Sequence, residues 1–179
     1  MSIIDDTSLV VRVASTAAFH HAGAVFSPCE KYRYMMWRTW GELDGPRMMF
    51  IGLNPSTATE SVEDPTVRRC IRFAKDWGYA GMFMMNAFAF RATDPKKMQA
   101  SVDPNGPRND DAILEASQQS RLIIAAWGVH CPVPREREIC TIVGRPIHCL
   151  GWTKGGRPRH PLYVRADESV RIFYDRVPS

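Results

Sequence analysis

The sequence has no C-x-x-C pair, no internal repeat, no low-complexity tract and no apolar stretch near the ~20 residues a membrane-spanning helix requires. Those absences argue against zinc and redox frameworks, solenoid arrays, disordered scaffolds and helical membrane proteins. Cysteine is sparse and odd in number. Cys29, Cys70, Cys131, Cys140 and Cys149 are widely spaced, which suits reduced thiols in a cytoplasm better than a disulfide framework. The twin pairs His130–Cys131 and His148–Cys149 raise a metal site, but nothing in their spacing supports one, and neither metal nor cofactor is expected. The opening MSIIDDTSLV carries early acids and lacks the basic start and apolar core of a signal peptide, so a cytoplasmic location is expected. Acid is missing from one long stretch: Arg145 to Arg165 holds five basic residues and no Asp or Glu.

What is present is ordinary globular material. The 179 residues are 45% hydrophobic and 23% charged, enough for one domain spanning 1–179 with its own core. Lys and Arg outnumber Asp and Glu by 23 to 19, a mild excess that permits an anionic partner without demanding one.

The apolar pattern alternates strands with helices. Glu30–Gly41 is aromatic and partly alternating, and it reads as an early antiparallel strand near an edge. Met48–Leu53, Gly81–Asn86, Arg121–Gly128 and Pro146–Leu150 are short continuous apolar runs, the signature of strands buried on both faces. Asp64 followed by Pro65 is a strong helix start, with Val67, Ile71 and Ala74 on one face and Gly78 at the stop. Further helices are expected over 109–119, 134–143 and 167–177. The whole predicts a three-layer α/β sandwich with a mainly parallel central sheet of about four strands and an N-terminal antiparallel edge. Right-handed crossovers then bring Asn54, Asn86, Trp127, Gly128 and the segment after Leu150 to one rim, where ligands bind in such sheets.

Four segments carry the chemistry: GLNPS at 52–56, MMNAFAFRAT at 84–93, AAWGVH at 125–130 and GGRPRHPLY at 155–163. Their order and placement resemble the uracil-DNA glycosylase superfamily. There, an N-P motif ends the first strand, a base-reading group ends a middle strand, and a late loop carries H-P. The chain as a whole also resembles a bacterial and phage family named only as domain of unknown function 1643, which shares the Y-R-Y, L-N-P-S, D-P-T, W-G and R-H-P-L-Y words.

The glycosylase resemblance implies hydrolysis of the N-glycosidic bond of a base or modified base in DNA or a nucleotide. Asn54 holds the position that orients a water, and His160 the position that hydrogen-bonds the base oxygen as it leaves. Asn86 offers a donor and an acceptor to a pyrimidine edge, with Phe88, Leu53 and Pro55 beside the base. Ser56, Arg91, Lys154, Arg157 and Arg159 are the expected contacts to the nucleic-acid backbone. Each has a plainer reading. Asn54 suits an Asx-turn, Asn86 a strand-end cap, Phe88 and Phe90 the core, and His160 a solvated basic turn. Asp64, Arg68, Arg69 and Arg72, at the start of the first helix, suit either an anion or a solvated stripe.

Three features depart from the glycosylase pattern, one being that no aromatic follows Asn54–Pro55 to stack on a base. The first motif lacks an aspartate, and the late motif ends as H-P-L-Y-V without a longer wedge segment. A single strand or a free nucleotide needs no wedge, so these are the expected partners alongside DNA. The alternative is a module on the same fold that binds nucleic acid or a nucleotide without turnover.

Overall fold

The computed structural model describes residues 2–175. The chain opens with a hairpin of Val10–Thr16 (β1) and Phe19–Phe26 (β2), and Arg33–Thr39 (β3) continues it. Its turn is only Ala17–Ala18, held by Thr16 Oγ1, which accepts from the backbone of Ala18 and Phe19. Arg47–Gly52 (β4) follows and is buried apart from its first residue. Pro65–Asp76 (α1) begins where Asp64 accepts from Val67 N at 2.8 Å, and it ends at Gly78 with φ +76°. It buries Val67, Cys70, Ile71, Phe73 and Ala74 against the sheet; each large apolar side chain contributes roughly 1.5–3 kcal/mol.

Gly81–Asn86 (β5), the short helix Pro95–Gln99 (α2), Asn109–Gln118 (α3) and Leu122–Ala125 (β6) come next. Val133–Val143 (α4), Ile147–Cys149 (β7) and Arg171–Tyr174 (β8) complete the order. α1 packs on one face of the sheet with Met48, Phe50 and Met82, while α3 and α4 pack on the other with Met49, Ile51 and Met85. Among the described residues, no helix is long and apolar enough to cross a membrane.

All eight strands lie in one sheet, ordered β1-β2-β3-β5-β4-β6-β7-β8. Four of its seven pairings are antiparallel and three parallel. This overturns the expectation of a mainly parallel sheet of about four strands and, with it, the uracil-DNA-glycosylase-like architecture. The physical cause lies at both flanks. The β1–β2 hairpin docks on β3 and so moves that strand off the edge it was expected to occupy, leaving its seven residues wholly buried. At the far side, the helix expected over 167–177 is instead strand β8, paired antiparallel with β7; residues 176 and 177 lie outside the described residues. Its Arg-Ile-Phe-Tyr core has the β-branched and aromatic content of a strand, and it covers a β7 edge that would otherwise present unpaired backbone.

Candidate functional site

β4, β5, β6 and β7 are parallel to one another, so their C-terminal ends share one rim. Past Gly52 and Asn86, the two following loops lace together. Ala87 N donates to Gly52 O, Phe88 N to Leu53 O and Ala92 N to Pro55 O, all at 2.8–2.9 Å. Proline at 55 supplies the acceptor this ladder needs and has no N–H to leave unpaired. A cavity of about 720 Å³ opens at this rim, inside the roughly 300–1,000 Å³ range of small-molecule sites.

Asn54 lines it in a defined orientation. Its Nδ2 donates to Ala92 O at 2.7 Å and to Pro55 O at 3.1 Å. With both donors spent on carbonyls, Oδ1 is the atom left for the cavity. Asn86 also lines it, is 2% exposed, and its side-chain amide has no protein partner among the described residues. Its backbone is held rigidly from behind. Asn109 Nδ2 donates to the carbonyls of Asn86 and Ala87 at 3.1 Å each, and Arg135 Nε donates to Ala87 O at 2.8 Å.

Trp127 and Gly128 form the third side. Trp127 is 1% exposed, and its Nε1 donates to Glu136 Oε2 at 3.0 Å. Gly128 has φ +69°, and a Cβ there would sit 3.5 Å from the Cβ of His160. His160 closes the fourth side. Its Nδ1 accepts from Leu162 N at 3.4 Å, which puts the ring proton on Nε2. Burial lowers its pKa, partly opposed by the Asp64 carboxylate, so the imidazole is neutral at pH 7 and still a donor.

The family described as Protein of unknown function (DUF1643) matches residues 33–162, a span that takes in Asn54, Asn86, Trp127 and His160. The chain belongs to that family. Comparison with curated proteins and with solved structures finds no match. The DUF1643 match leaves β1, β2 and β8 outside it and begins on Arg33.

In this DUF1643 chain, Leu53, Ser56, Lys154 and Arg159 also line the cavity. Four other expected site residues do not. Phe88 is 8% exposed, packed in the core with Arg135 over its ring. Pro55 is buried in the loop ladder. Arg91 turns to Glu30, donating to its carbonyl at 3.0 Å, and lies over the Phe26 ring. Arg157 is drawn inward to Glu136, 3.0 Å away, and to the carbonyl of Cys131. In each case an internal partner outcompetes solvent for the side chain. Beside α1, Arg68 and Arg72 stay exposed to solvent, as a solvated stripe would. Arg68 bonds the Glu63 carbonyl, Arg69 the Val164 carbonyl, and Arg72 pairs with Asp76, while Asp64 itself caps the helix. Among the described residues, no three His, Cys, Asp or Glu side chains are placed to hold a metal ion, and burial pushes the Cys131 thiol up to about 12.

Among the cavity residues that sequence reasoning missed, Arg33 carries the charge. Arg33 is 2% exposed and lines the cavity from β3. Loss of water around it lowers its pKa to about 10, which leaves it charged at neutral pH. The available signal was a cation inside the otherwise aromatic and apolar run Tyr32–Trp37.

Proposed function

We propose that this DUF1643 chain hydrolyses the N-glycosidic bond of a base or modified base in DNA or a nucleotide. The observation that carries the reading is the orientation of Asn54, whose amide nitrogen is committed to two carbonyls and whose oxygen is left to hold a water. Hydrolysis builds positive charge on the sugar and negative charge on the departing base. Water held by Asn54 adds its hydroxyl to the sugar carbon, and its proton balances the base anion. His160 Nε2–H donates to the base oxygen as that charge develops, and Asn86 reads the base edge with donor and acceptor together. The four motifs resembling the uracil-DNA glycosylase superfamily support this reading at the level of the site, although the sheet is built differently.

The test is product formation. Single- and double-stranded oligonucleotides carrying uracil, hydroxymethyluracil or a mismatch, together with free nucleotides, are incubated with the protein and assayed for abasic product or released base. Product that persists undiminished in both Asn54→Ala and His160→Ala variants would remove the mechanism. A second reading, a nucleotide or nucleic-acid binding module, is favoured by one feature. Among the described residues, Asp64 is the only carboxylate lining the cavity, and it already spends an oxygen capping α1. Binding that weakens steeply with salt, without product, decides for it.

A further inference from the structure

β3 buries two arginines, and their surroundings differ. Arg38 is 0% exposed, and its Nε lies 2.9 Å from Glu63 Oε1, with further bonds to the carbonyls of Trp37 and Thr59. Arg33 has the Ala58 carbonyl, 2.7 Å from one terminal nitrogen, and no ion pair among the described residues. Its Nε has no hydrogen-bond partner among the described residues. The Asp64 carboxylate favours its charged form from a distance but makes no ion pair with it, and a guanidinium withdrawn from water with so little direct compensation is disfavoured unless an anion arrives to meet it.

The cavity is built to receive one. Arg33 lines its interior, and the exposed Lys154 and Arg159 also line it. Among the described residues, three cations therefore share the lining with one carboxylate, Asp64, and the hydroxyl-bearing Ser56 and Thr66 line the same space. A planar guanidinium with free donors matches phosphate oxygens, and hydroxyl donors complete such a shell.

We propose that Arg33 anchors a phosphate subsite inside the cavity, and that the ligand is a mononucleotide carrying a terminal phosphate. The phosphate chemistry stands on Arg33 and its surroundings, while the nucleoside portion rests on the reading given under Proposed function. A terminal phosphate is favoured over an internal phosphodiester because a guanidinium only 2% exposed leaves no room for chain to depart on both sides.

Calorimetric titration of the full chain with a nucleoside, its 5′-monophosphate and inorganic phosphate tests this. The monophosphate should bind about tenfold or more tighter than the nucleoside, inorganic phosphate should compete with it, and Arg33→Met should abolish the difference. Arg33 also supports the Ala58 carbonyl, so a second readout uses the unaltered protein. In ¹⁵N-labelled wild-type chain, the Arg33 Nε–H resonance should shift saturably with inorganic phosphate. Equal binding of nucleoside and monophosphate, or an Nε–H signal unmoved at phosphate saturation, would overturn the proposal. So would an unphosphorylated single strand that competes as well as the monophosphate. Hydrolysis without any phosphate preference would defeat this inference alone, and phosphate binding without abasic product would defeat the hydrolase alone.

Discussion

The Asn54 side-chain nitrogen lies 2.7 Å from the Ala92 carbonyl oxygen, so the loop after β5 sets which way round the amide after β4 stands. Asn54→Asp should therefore fail to supply a better base. It would press a carboxylate against the carbonyls of Ala92 and Pro55, lowering stability by roughly 1–3 kcal/mol. Its hydrolysis rate should fall by about 10²-fold, as for Asn54→Ala. Single-turnover assays and urea denaturation measure the two effects. A faster Asn54→Asp variant would show that the position wants charge, not orientation.

His160 should titrate below its ordinary 6.5, because burial disfavours the imidazolium. The unfolded chain then binds the proton more readily than the native one. The stability this group contributes is complete above about pH 6.5 and is lost as pH falls through the lowered native pKa. Asp64→Asn keeps a helix cap but removes the carboxylate that favours the charged ring, so the His160 midpoint should fall further. Proton NMR of the imidazole reads both; a midpoint that rises in the variant contradicts the assignment.

Arg157 and Trp127 converge on one oxygen of Glu136, each at 3.0 Å. Glu136→Gln strips the counter-charge from an arginine that is 17% exposed and should destabilise the fold by about 1–3 kcal/mol. Arg157→Ala should likewise lower the denaturation midpoint. An Arg157→Ala variant that keeps full stability and loses only ligand affinity would return this residue to the binding surface.

Gly52→Ala probes the cavity floor. An added Cβ would meet Met84 Cε at 2.9 Å and Asn86 Oδ1 at 3.0 Å. The flexible methionine end can move, at about 1–3 kcal/mol, but the amide it displaces is the proposed base reader. Turnover or ligand affinity should drop by about 10²-fold, out of proportion to the stability change. Wild-type affinity in a folded Gly52→Ala protein would separate Asn86 from recognition.

Much of the site was legible because strand ends announce themselves. Asn54–Pro55 and Asn86 each stop an apolar run with a residue that cannot continue it, and parallel pairing then carries both to one rim. Phe88, Arg91 and Arg157 misled for a common reason. Residue type says what a side chain can contact, but the Phe88 core packing, the Glu30 carbonyl and Glu136 reached them before solvent did.

The sequence by itself determined where α1, α3, α4 and the strands β3 to β7 run, because apolar periodicity, caps and Gly or Asn-Pro stops act within a few residues. Only the tertiary structure decided the rest. The β1–β2 hairpin turns on Ala17–Ala18, which carries no turn signal, and β8 is a strand because β7 offers an open edge and Trp127 and Trp152 receive Phe173. The run around Arg33 marks an unusual cation, but its burial comes from distant partners, the β2 hairpin strand beside it and the Ala58 carbonyl it reaches, because those contacts form only when the chain folds.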